Sequence, residues 1–382
     1  MLVSLALAAG VCGAAAVAID APAPMQSALE YYSQGHYARA TAVVDDMLAA
    51  PGASERAWII AAECYNRQNQ PAKAIEAYQQ FLKVCDSTPT RAYVLDQMRR
   101  CREAAPLRPA TLPSAALSDQ QRKAMAAVGA AVTKTTRHFA VHARNTDLAT
   151  LIATLAEESL RRICGDIMPQ EYPHVVDINV WIDKNDYAAN APGAPEWSGG
   201  RFNLTVSGGV VTRRIDLTQL NEDRTLSTMT IDRVLPHETC HLVLKEYFGD
   251  APSPLFLNEG LAMLAEPAVD NDRLLLAAAA LSGEDGISMD KLLLMDQSDM
   301  DHRGTFYAQS LSLTQFLHSR LGREQFSTFL GNLKDGCTVT DSLERSLCMP
   351  PDPNFLEGLS AAWQTYALQQ GQDLRALETA SR

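Results

Sequence analysis

Residues 236–267 read PHETCHLVLKEYFGDAPSPLFLNEGLAMLAEP, and this stretch contains two short motifs that decide what fold and chemistry to expect. The first is an HExxH pattern, in which His237 and His241 stand four positions apart. Residues four apart share one face of a helix, so both imidazoles can bind the same metal ion. Glu238 follows the first histidine and would lie beside the metal, where a base for a metal-bound water is needed.

The second motif, NEGLA at residues 258–262, places Glu259 18 positions after His241. That distance lets the first helix end, the chain turn in a Pro-containing segment, and a second helix return to the histidines. Two neutral imidazoles, one carboxylate and an open fourth position are typical of a catalytic zinc site rather than a structural one. The sequence therefore predicts one Zn²⁺ ion bound by His237, His241 and Glu259.

A different interpretation of the first motif is a pair of core histidines beside a solvated glutamate. The second motif, at a workable distance, favours the metal site, because buried His and Glu side chains rarely converge without a metal. Cys240 falls on another face of the helix and is interpreted as a small buried residue. Pro236 predicts that the helix either begins at about Leu235 or is a longer helix from Thr228, kinked at the proline.

The length and net charge of the chain indicate how many domains and which class of partner to expect. The chain has 382 residues, of which 47% are hydrophobic, and a formal net charge of −12. Such a length suggests two domains, each with enough apolar residues for a core. The acidic balance argues against nucleic acid or an anionic membrane surface as the main partner, because both select clustered Lys and Arg.

The N-terminal residues 1–18 form an apolar run rich in Ala, Leu and Val that ends in Ala-Val-Ala. A small-x-small ending after such a run is typical of a secretory signal peptide with its cleavage site. We therefore expect an exported protein, located in the periplasm, at the cell surface or outside the cell. The alternative is a retained anchor helix, and membrane association is expected only in that case.

Residues 25–103 carry an internal repeat with an offset of 34 residues, in which Tyr31 corresponds to Tyr65 and Ala40 to Ala74. This spacing resembles the tetratricopeptide pattern, where small residues let paired helices cross closely. We expect an all-α repeat segment that docks a protein partner or substrate, or that steadies the next domain. The alternative is an ordinary pair of helical hairpins. Residues 104–117 contain three prolines and read as a linker.

The remaining domain, residues 118–382, begins with strands and ends with helices. A helix is predicted over residues 148–163, with Glu157, Glu158, Arg161 and Arg162 on its solvated side. From Leu226 onward the pattern is mostly helical, so the order of elements predicts an α+β domain with a helical C-terminal lobe. Strands are predicted at residues 138–142, 175–183, 201–206 and 210–217.

HExxH followed by NEGLA resembles the gluzincin metallopeptidases, specifically the peptidase-MA-like group with a thermolysin-like zincin core. The resemblance covers roughly residues 137–370. It implies zinc binding by His237, His241 and Glu259, with Glu238 as the general base. It further implies that Tyr307, in the YAQS segment of the helix after the motifs, stabilises the oxyanion. The alternative for Tyr307 is a core aromatic residue.

The resemblance implies a zinc-dependent hydrolase of peptide bonds, whose edge strand after residues 197–200 pairs with an extended peptide. No counterpart of the GxMEN segment of related aminopeptidases is present, so endopeptidase and exopeptidase action both stay open. Glu266 either orients a ligand histidine or is a charge at a helix end. Two other classes stay open: a silent tetratricopeptide scaffold that retains a zincin fold, and a hydrolase of a non-peptide amide or epoxide.

Overall fold

The structure is a computed structural model that describes residues 23–33, 36–49, 54–68, 70–85, 87–103, 112–168, 170–191, 199–267, 270–283, 285–296, 303–347 and 354–380. The predicted signal peptide, residues 1–18, lies outside these ranges, as do residues 104–111 of the predicted linker. The described residues belong to two compact units. One comprises residues 1–108 with 317–324, and the other comprises residues 109–316 with 325–382.

The described residues of the first unit's N-terminal part form five helices. Its core buries the alanines at the repeat positions, including Ala28, Ala40, Ala62 and Ala74, each with no exposed surface. Residues without a long side chain let helix backbones approach closely, which agrees with the packing expected of the segment. Repeat ancestry itself stays a prediction. The helices are α1 (Ala23–Ser33), α2 (Tyr37–Leu48), α3 (Glu55–Arg67), α4 (Pro71–Val84) and α5 (Thr88–Glu103).

The second unit is built on a five-stranded sheet. Its spatial order is β1-β2-β3-β5-β4, so β1 and β4 are the edge strands. The central pairs β2–β3 and β3–β5 are parallel, whereas β1–β2 and β4–β5 are antiparallel. Four strands match predicted ones within one or two residues, and β1 was not predicted. The strands are β1 (Val132–Thr135), β2 (Phe139–Ala143), β3 (Val176–Trp181), β4 (Gly200–Ser207) and β5 (Val210–Thr218).

A crossover helix joins the parallel strands β2 and β3. Helix α7 (Thr146–Arg162) follows the short helix α6 (Asp119–Ala126) and buries its apolar face, including Leu148 and Ile152, beside the sheet. The prediction of a solvated side was wrong for two of its four residues. Glu157 accepts hydrogen bonds from the backbone N–H and ring of His138, and Arg162 donates to backbone carbonyls at the C-terminal end of another helix.

The chain after the sheet is helical. A π-helical turn, Thr230–Val234, runs directly into α9 (Leu235–Phe248), so the metal-motif helix begins at Leu235 and Pro236 lies in its first turn. Helices α8 and α14 were not predicted. The remaining helices are α8 (Lys184–Asn190, between β3 and β4), α10 (Leu255–Ala265), α11 (Asn271–Ser282), α12 (Met289–Leu294), α13 (Arg303–Lys334), α14 (Val339–Ser346) and α15 (Phe355–Ala380).

Helix α13 is interrupted near its middle, because Gly322 alone leaves the helical region, with φ 67°. The fold is thus a mixed α/β fold with a small sheet and many helices. No helix within the described ranges combines the length and apolar character needed to cross a bilayer.

Candidate metal centre

Three side chains converge where α9 meets α10. His237 and His241 lie one turn apart on α9, with their ring centroids 4.7 Å apart. The Nε2 atom of His237 lies 3.6 Å from Glu259 Oε2, and that of His241 lies 3.9 Å from Glu259 Oε1. One ligand atom from each residue lies within 4.8 Å of the others, and no second group of this kind occurs among the described residues. The predicted ligands are therefore brought together.

Gly260 explains how the Glu259 helix can approach so closely. A Cβ atom at Gly260 would lie 2.0 Å from Thr314 Oγ1 and 2.6 Å from the backbone oxygen of Ser310, both on α13. No side chain fits between these helices at this position, so α10 packs backbone to backbone against α13. The glycine of the NEGLA motif thereby sets the depth at which the neighbouring Glu259 enters the site.

The C-terminal end of α10 is held from the crossover helix. Arg162 donates from Nη2 to the carbonyl of Leu264 at 3.1 Å, and from Nη1 to the carbonyls of Ala265 and Glu266 at 3.0 and 3.2 Å. The last carbonyls of a helix have no partners within the helix, and a guanidinium satisfies them while opposing the negative end of the helix dipole. Arg162 thus fixes both the end of α10 and the backbone of Glu266.

Each histidine has a partner behind it. Asn258 Oδ1 lies 2.8 Å from His241 Nδ1, and Glu266 Oε1 lies 3.2 Å from His237 Nδ1. Both partners are acceptors, so each Nδ1 donates its proton to the partner behind it and each Nε2 faces Glu259. Of the two interpretations of Glu266, the structure favours the one in which it orients a histidine. The partner role of Asn258 was not foreseen.

Glu266 belongs to a small cluster of charges. Its side chain is only 5% exposed, and its carboxylate lies 3.9 Å from Arg233 Nε and 3.7 Å from Arg273 Nη1. Asp270 accepts from Arg233 at 2.7 Å, which ties the turn before α9 to the start of α11. Two guanidinium groups and two carboxylates therefore balance each other directly behind His237.

Hydrogen bonds and charges within the site shift the pKa values of His237 and Glu259 in the metal-free protein. Burial by itself lowers the pKa of His237, but the hydrogen bonds with Glu259 and Glu266 outweigh it and raise the pKa to about 10. Burial likewise opposes ionisation of Glu259, and the hydrogen bond with His237 and the charge of His241 outweigh it, so the pKa of Glu259 is lowered. The site therefore favours a negative carboxylate beside a positive charge.

The residues fit a zinc ion. Ligand atoms about 2.0 to 2.1 Å from a tetrahedral metal stand roughly 3.3 Å apart, so the separations of 3.6 and 3.9 Å need only a small contraction. Two imidazole lone pairs facing a carboxylate repel it unless a cation lies between them, either a proton on the ring or a metal. Two imidazoles and one carboxylate make the donor set of a three-ligand zinc site with an open position.

Glu238 is partly exposed and follows His237 on α9. Its Oε2 atom accepts a hydrogen bond of 2.7 Å from the backbone N–H of Phe202, on the edge strand β4. Phe202 stands opposite Ile215 of β5, and its N–H points away from that strand. The carboxylate expected to act as a base is thus attached to the strand expected to bind substrate.

Tyr307 lies in the first part of α13, half-buried against Met263, Leu274 and Leu311. Burial raises the pKa of its hydroxyl to about 12, and the negative charges of Glu259 and Glu238 add to this effect. The hydroxyl is therefore protonated at neutral pH and within electrostatic reach of both carboxylates. The packing agrees with a core aromatic, and the charge interactions agree with a place beside the site.

Several residues that shape the site were missed from the sequence. Asn258 could have been found, because an amide directly before a predicted ligand on a helix is well placed to hold a neighbouring histidine. The sequence gives no signal for the contacts made by Arg162, Arg233 and the amide of Phe202, since each group binds a partner in a segment distant from it in the chain.

The comparison with known protein families agrees with the geometry. Residues 195–369 match the model of the family described as the Peptidase MA superfamily, whose members are usually zinc-dependent. No curated protein matches the chain. The match spans β4, β5, both metal motifs and Tyr307, and it leaves out the N-terminal helices and strands β1 to β3. Residues 195–369 thus resemble a Peptidase MA superfamily domain, which supports a zincin-like peptidase.

Proposed function

We propose that this protein is a zinc metallopeptidase that hydrolyses peptide bonds, with one Zn²⁺ ion bound by His237, His241 and Glu259. The observation that carries the proposal is the convergence of these three side chains within 4.8 Å, with an acceptor behind each histidine. A carboxylate that neighbours the first histidine, and a family match over the same residues, support the hydrolytic function.

Glu238 acts as the general base and then as the general acid. A zinc ion held by His237, His241 and Glu259 would lower the pKa of a water ligand and polarise the scissile carbonyl. Glu238 accepts the proton of that water and delivers it to the leaving amine. Because the Phe202 amide holds Oε2, the free Oε1 is the atom that accepts the proton.

Tyr307 donates a hydrogen bond to the oxyanion that develops on the substrate carbonyl. This role requires a hydroxyl that keeps its proton, and the pKa raised to about 12 supports it. The apolar contacts with Met263, Leu274 and Leu311 hold the ring so that little freedom is lost when the substrate binds.

The substrate is a peptide or protein in an extended conformation, lying along the edge strand β4. One long edge of β4 pairs with β5, and the other faces the Glu238 side. Backbone groups of alternate residues point to that side, so an extended peptide can pair with them as an added strand. Because such pairing uses main-chain groups, the site requires an extended substrate more strictly than it requires particular substrate side chains.

Replacing Glu238 by glutamine tests the proposal. We expect Glu238→Gln to retain one zinc per chain and to lose peptide cleavage by about 100-fold or more, because the amide cannot accept the proton. The assays are metal analysis and cleavage of a peptide library by the purified protein. Glu246→Gln, on the same helix, is the control and should cleave as the wild type does.

Each result decides between the functions. A Glu238→Gln protein as active as the wild type would overturn the assignment of the base. A wild-type protein that binds zinc but cleaves no library peptide would favour the silent scaffold. Hydrolysis of non-peptide amides or epoxides alone would move the protein to that class of hydrolase.

We further propose that the protein is exported through the leader at residues 1–18, and that the N-terminal helices dock a protein partner or substrate as tetratricopeptide-like repeats. The apolar run with its small-x-small ending supports export, and the buried alanines at a 34-residue offset support the repeats. N-terminal sequencing of the mature protein tests export. Cleavage of protein substrates by the chain with and without residues 25–103 tests docking.

A further inference from the structure

The start of the edge strand lies directly against the beginning of the metal-motif helix. A Cβ atom at Gly200 would lie 2.3 Å from Val234 Cγ1, and 3.0 Å from both Asp216 O and Leu217 Cδ2. At the preceding residue, Gly199, a Cβ would lie 3.5 Å from Val234 Cγ2, which is an ordinary contact. Of these two glycines, only Gly200 lacks room for a Cβ atom without a shift of Val234.

Strand β4 and helix α9 make a second contact two residues along the strand, between Phe202 and Glu238. Val234 and Glu238 are four residues apart and share one face of the helical segment, and Gly200 and Phe202 share one side of β4. Two residues of a strand advance about 6.6 Å and four residues of a helix about 6 Å, so the two contacts stay in register. The close contact at Gly200 thus places the Phe202 N–H at 2.7 Å from Glu238 Oε2.

We propose that Gly200 is a positioning residue for the general base: its missing side chain lets β4 lie close enough for the Phe202 amide to hold the Glu238 carboxylate. The inference rests on the proposed function for its catalytic consequence, but its structural part stands without it. The amide fixes which oxygen is bound and which is left free. A carboxylate without this hydrogen bond rotates and loses its alignment with the substrate.

A single methyl group added at residue 200 is enough to disturb the hydrogen bond between Phe202 and Glu238. To bring a Cβ at residue 200 from 2.3 Å to an ordinary separation from Val234, strand and helix must part by about 1 Å or more. The same movement would lengthen the hydrogen bond from 2.7 Å beyond the range in which an amide binds a carboxylate. A misplacement of about 1 Å can cost roughly 100-fold in rate.

The test compares Gly200→Ala with Gly199→Ala as the matched control. We expect Gly200→Ala to lower kcat about 10-fold to 100-fold, with zinc content unchanged and KM changed less than kcat. Gly199→Ala should behave as the wild type. Adding Val234→Ala to Gly200→Ala removes the closest colliding atom and should restore a substantial part of kcat.

A measurement on the metal-free protein separates this inference from the proposed function. In protein labelled with ¹⁵N-phenylalanine, the Phe202 amide proton should resonate downfield because of its short bond to a carboxylate, and Glu238→Gln should shift it. Gly200→Ala should shift it in the same direction, and Gly199→Ala should leave it in place. Should Gly200→Ala fail to fold, Val234→Ile adds bulk to the same contact from the helix side and should shift the resonance likewise.

The outcomes are decisive. A Phe202 resonance that ignores Gly200→Ala or Val234→Ile overturns the inference, as does a loss of kcat that Val234→Ala does not relieve. If the wild type cleaves nothing, the proposed function fails, and the resonance alone then decides whether Gly200 positions Glu238.

Discussion

Replacing Glu266 by glutamine should weaken zinc binding without removing a ligand. Glu266 is 5% exposed, and its Oε1 atom lies 3.2 Å from His237 Nδ1. Glutamine keeps the size and can still accept from Nδ1, but it removes the charge that raises the basicity of the imidazole. Its NH2 group would also face Arg233 and Arg273, which lie 3.9 and 3.7 Å from the carboxylate. The substituted side chain therefore either turns away from His237 or leaves the arginines with only Asp270.

Loss of such a partner behind a ligand typically costs 10-fold to 100-fold in metal affinity, which is about 1.4 to 2.7 kcal/mol of binding free energy. We expect the dissociation constant for zinc to rise by about that factor. The assay is a competition titration of the metal-free protein against a chromophoric chelator at fixed pH and salt.

Glu246→Gln provides the matched control, since it removes the same charge from α9 at the end away from the ligands. Glu246 is 21% exposed and pairs with Arg213 at 2.6 Å. We expect its zinc affinity to equal that of the wild type. A Glu266→Gln protein within about twofold of the wild type, or a control weakened to the same extent, would refute the reasoning.

Three further predictions concern the same centre. Because the pKa of His237 in the metal-free protein is raised to about 10, zinc binding at pH 8 should release about one proton from this ring, which calorimetry in buffers of different ionisation enthalpy would measure. An unfolded imidazole titrates near pH 6.5, so the stabilisation from the His237 charge is complete below about that pH and is lost as the pH rises through the folded value. Urea unfolding of the metal-free protein should therefore show stability falling between pH 7 and pH 10, and a flat profile would contradict the assignment. Gly260→Ala should destabilise the protein by about 1 to 3 kcal/mol or more through its collision with Thr314 and Ser310. Gly331→Ala, at a helical position where a Cβ atom would make only an ordinary contact, should be neutral or slightly stabilising in the same thermal denaturation. An unchanged melting temperature for Gly260→Ala would argue against the close crossing of α10 and α13.

The convergence of His237, His241 and Glu259 could be predicted because its information is local. The spacing of His237 and His241 is a property of one helix, and Glu259 follows after a turn whose length is read directly from the chain. Four of the five strands could also be predicted closely, since the alternation of apolar and polar residues is a signal within a few residues. Helix α10 gave a comparable signal in its apolar run.

The supporting contacts could not be predicted because they join segments distant in sequence. Arg162 was placed on a solvated face, since a charged residue in the last turn of an amphipathic helix usually faces water. Its three carbonyl partners lie about a hundred residues later, and no periodicity records them. Gly200 has the same character, because the need for a glycine there depends on Val234 of another element.

The hydrogen bonds of Arg162 determine which fragments of this domain keep the end of α10 intact. The family match begins at residue 195, yet the guanidinium that closes the end of α10 belongs to residue 162, on a helix between two strands that also lie before the match. A fragment restricted to residues 195–369 would expose the β3-facing edge of β5 and leave three carbonyls at the end of the Glu259 helix without their partner. A fragment that keeps these contacts around the HExxH and NEGLA motifs must therefore also include the upstream β2–α7–β3 segment.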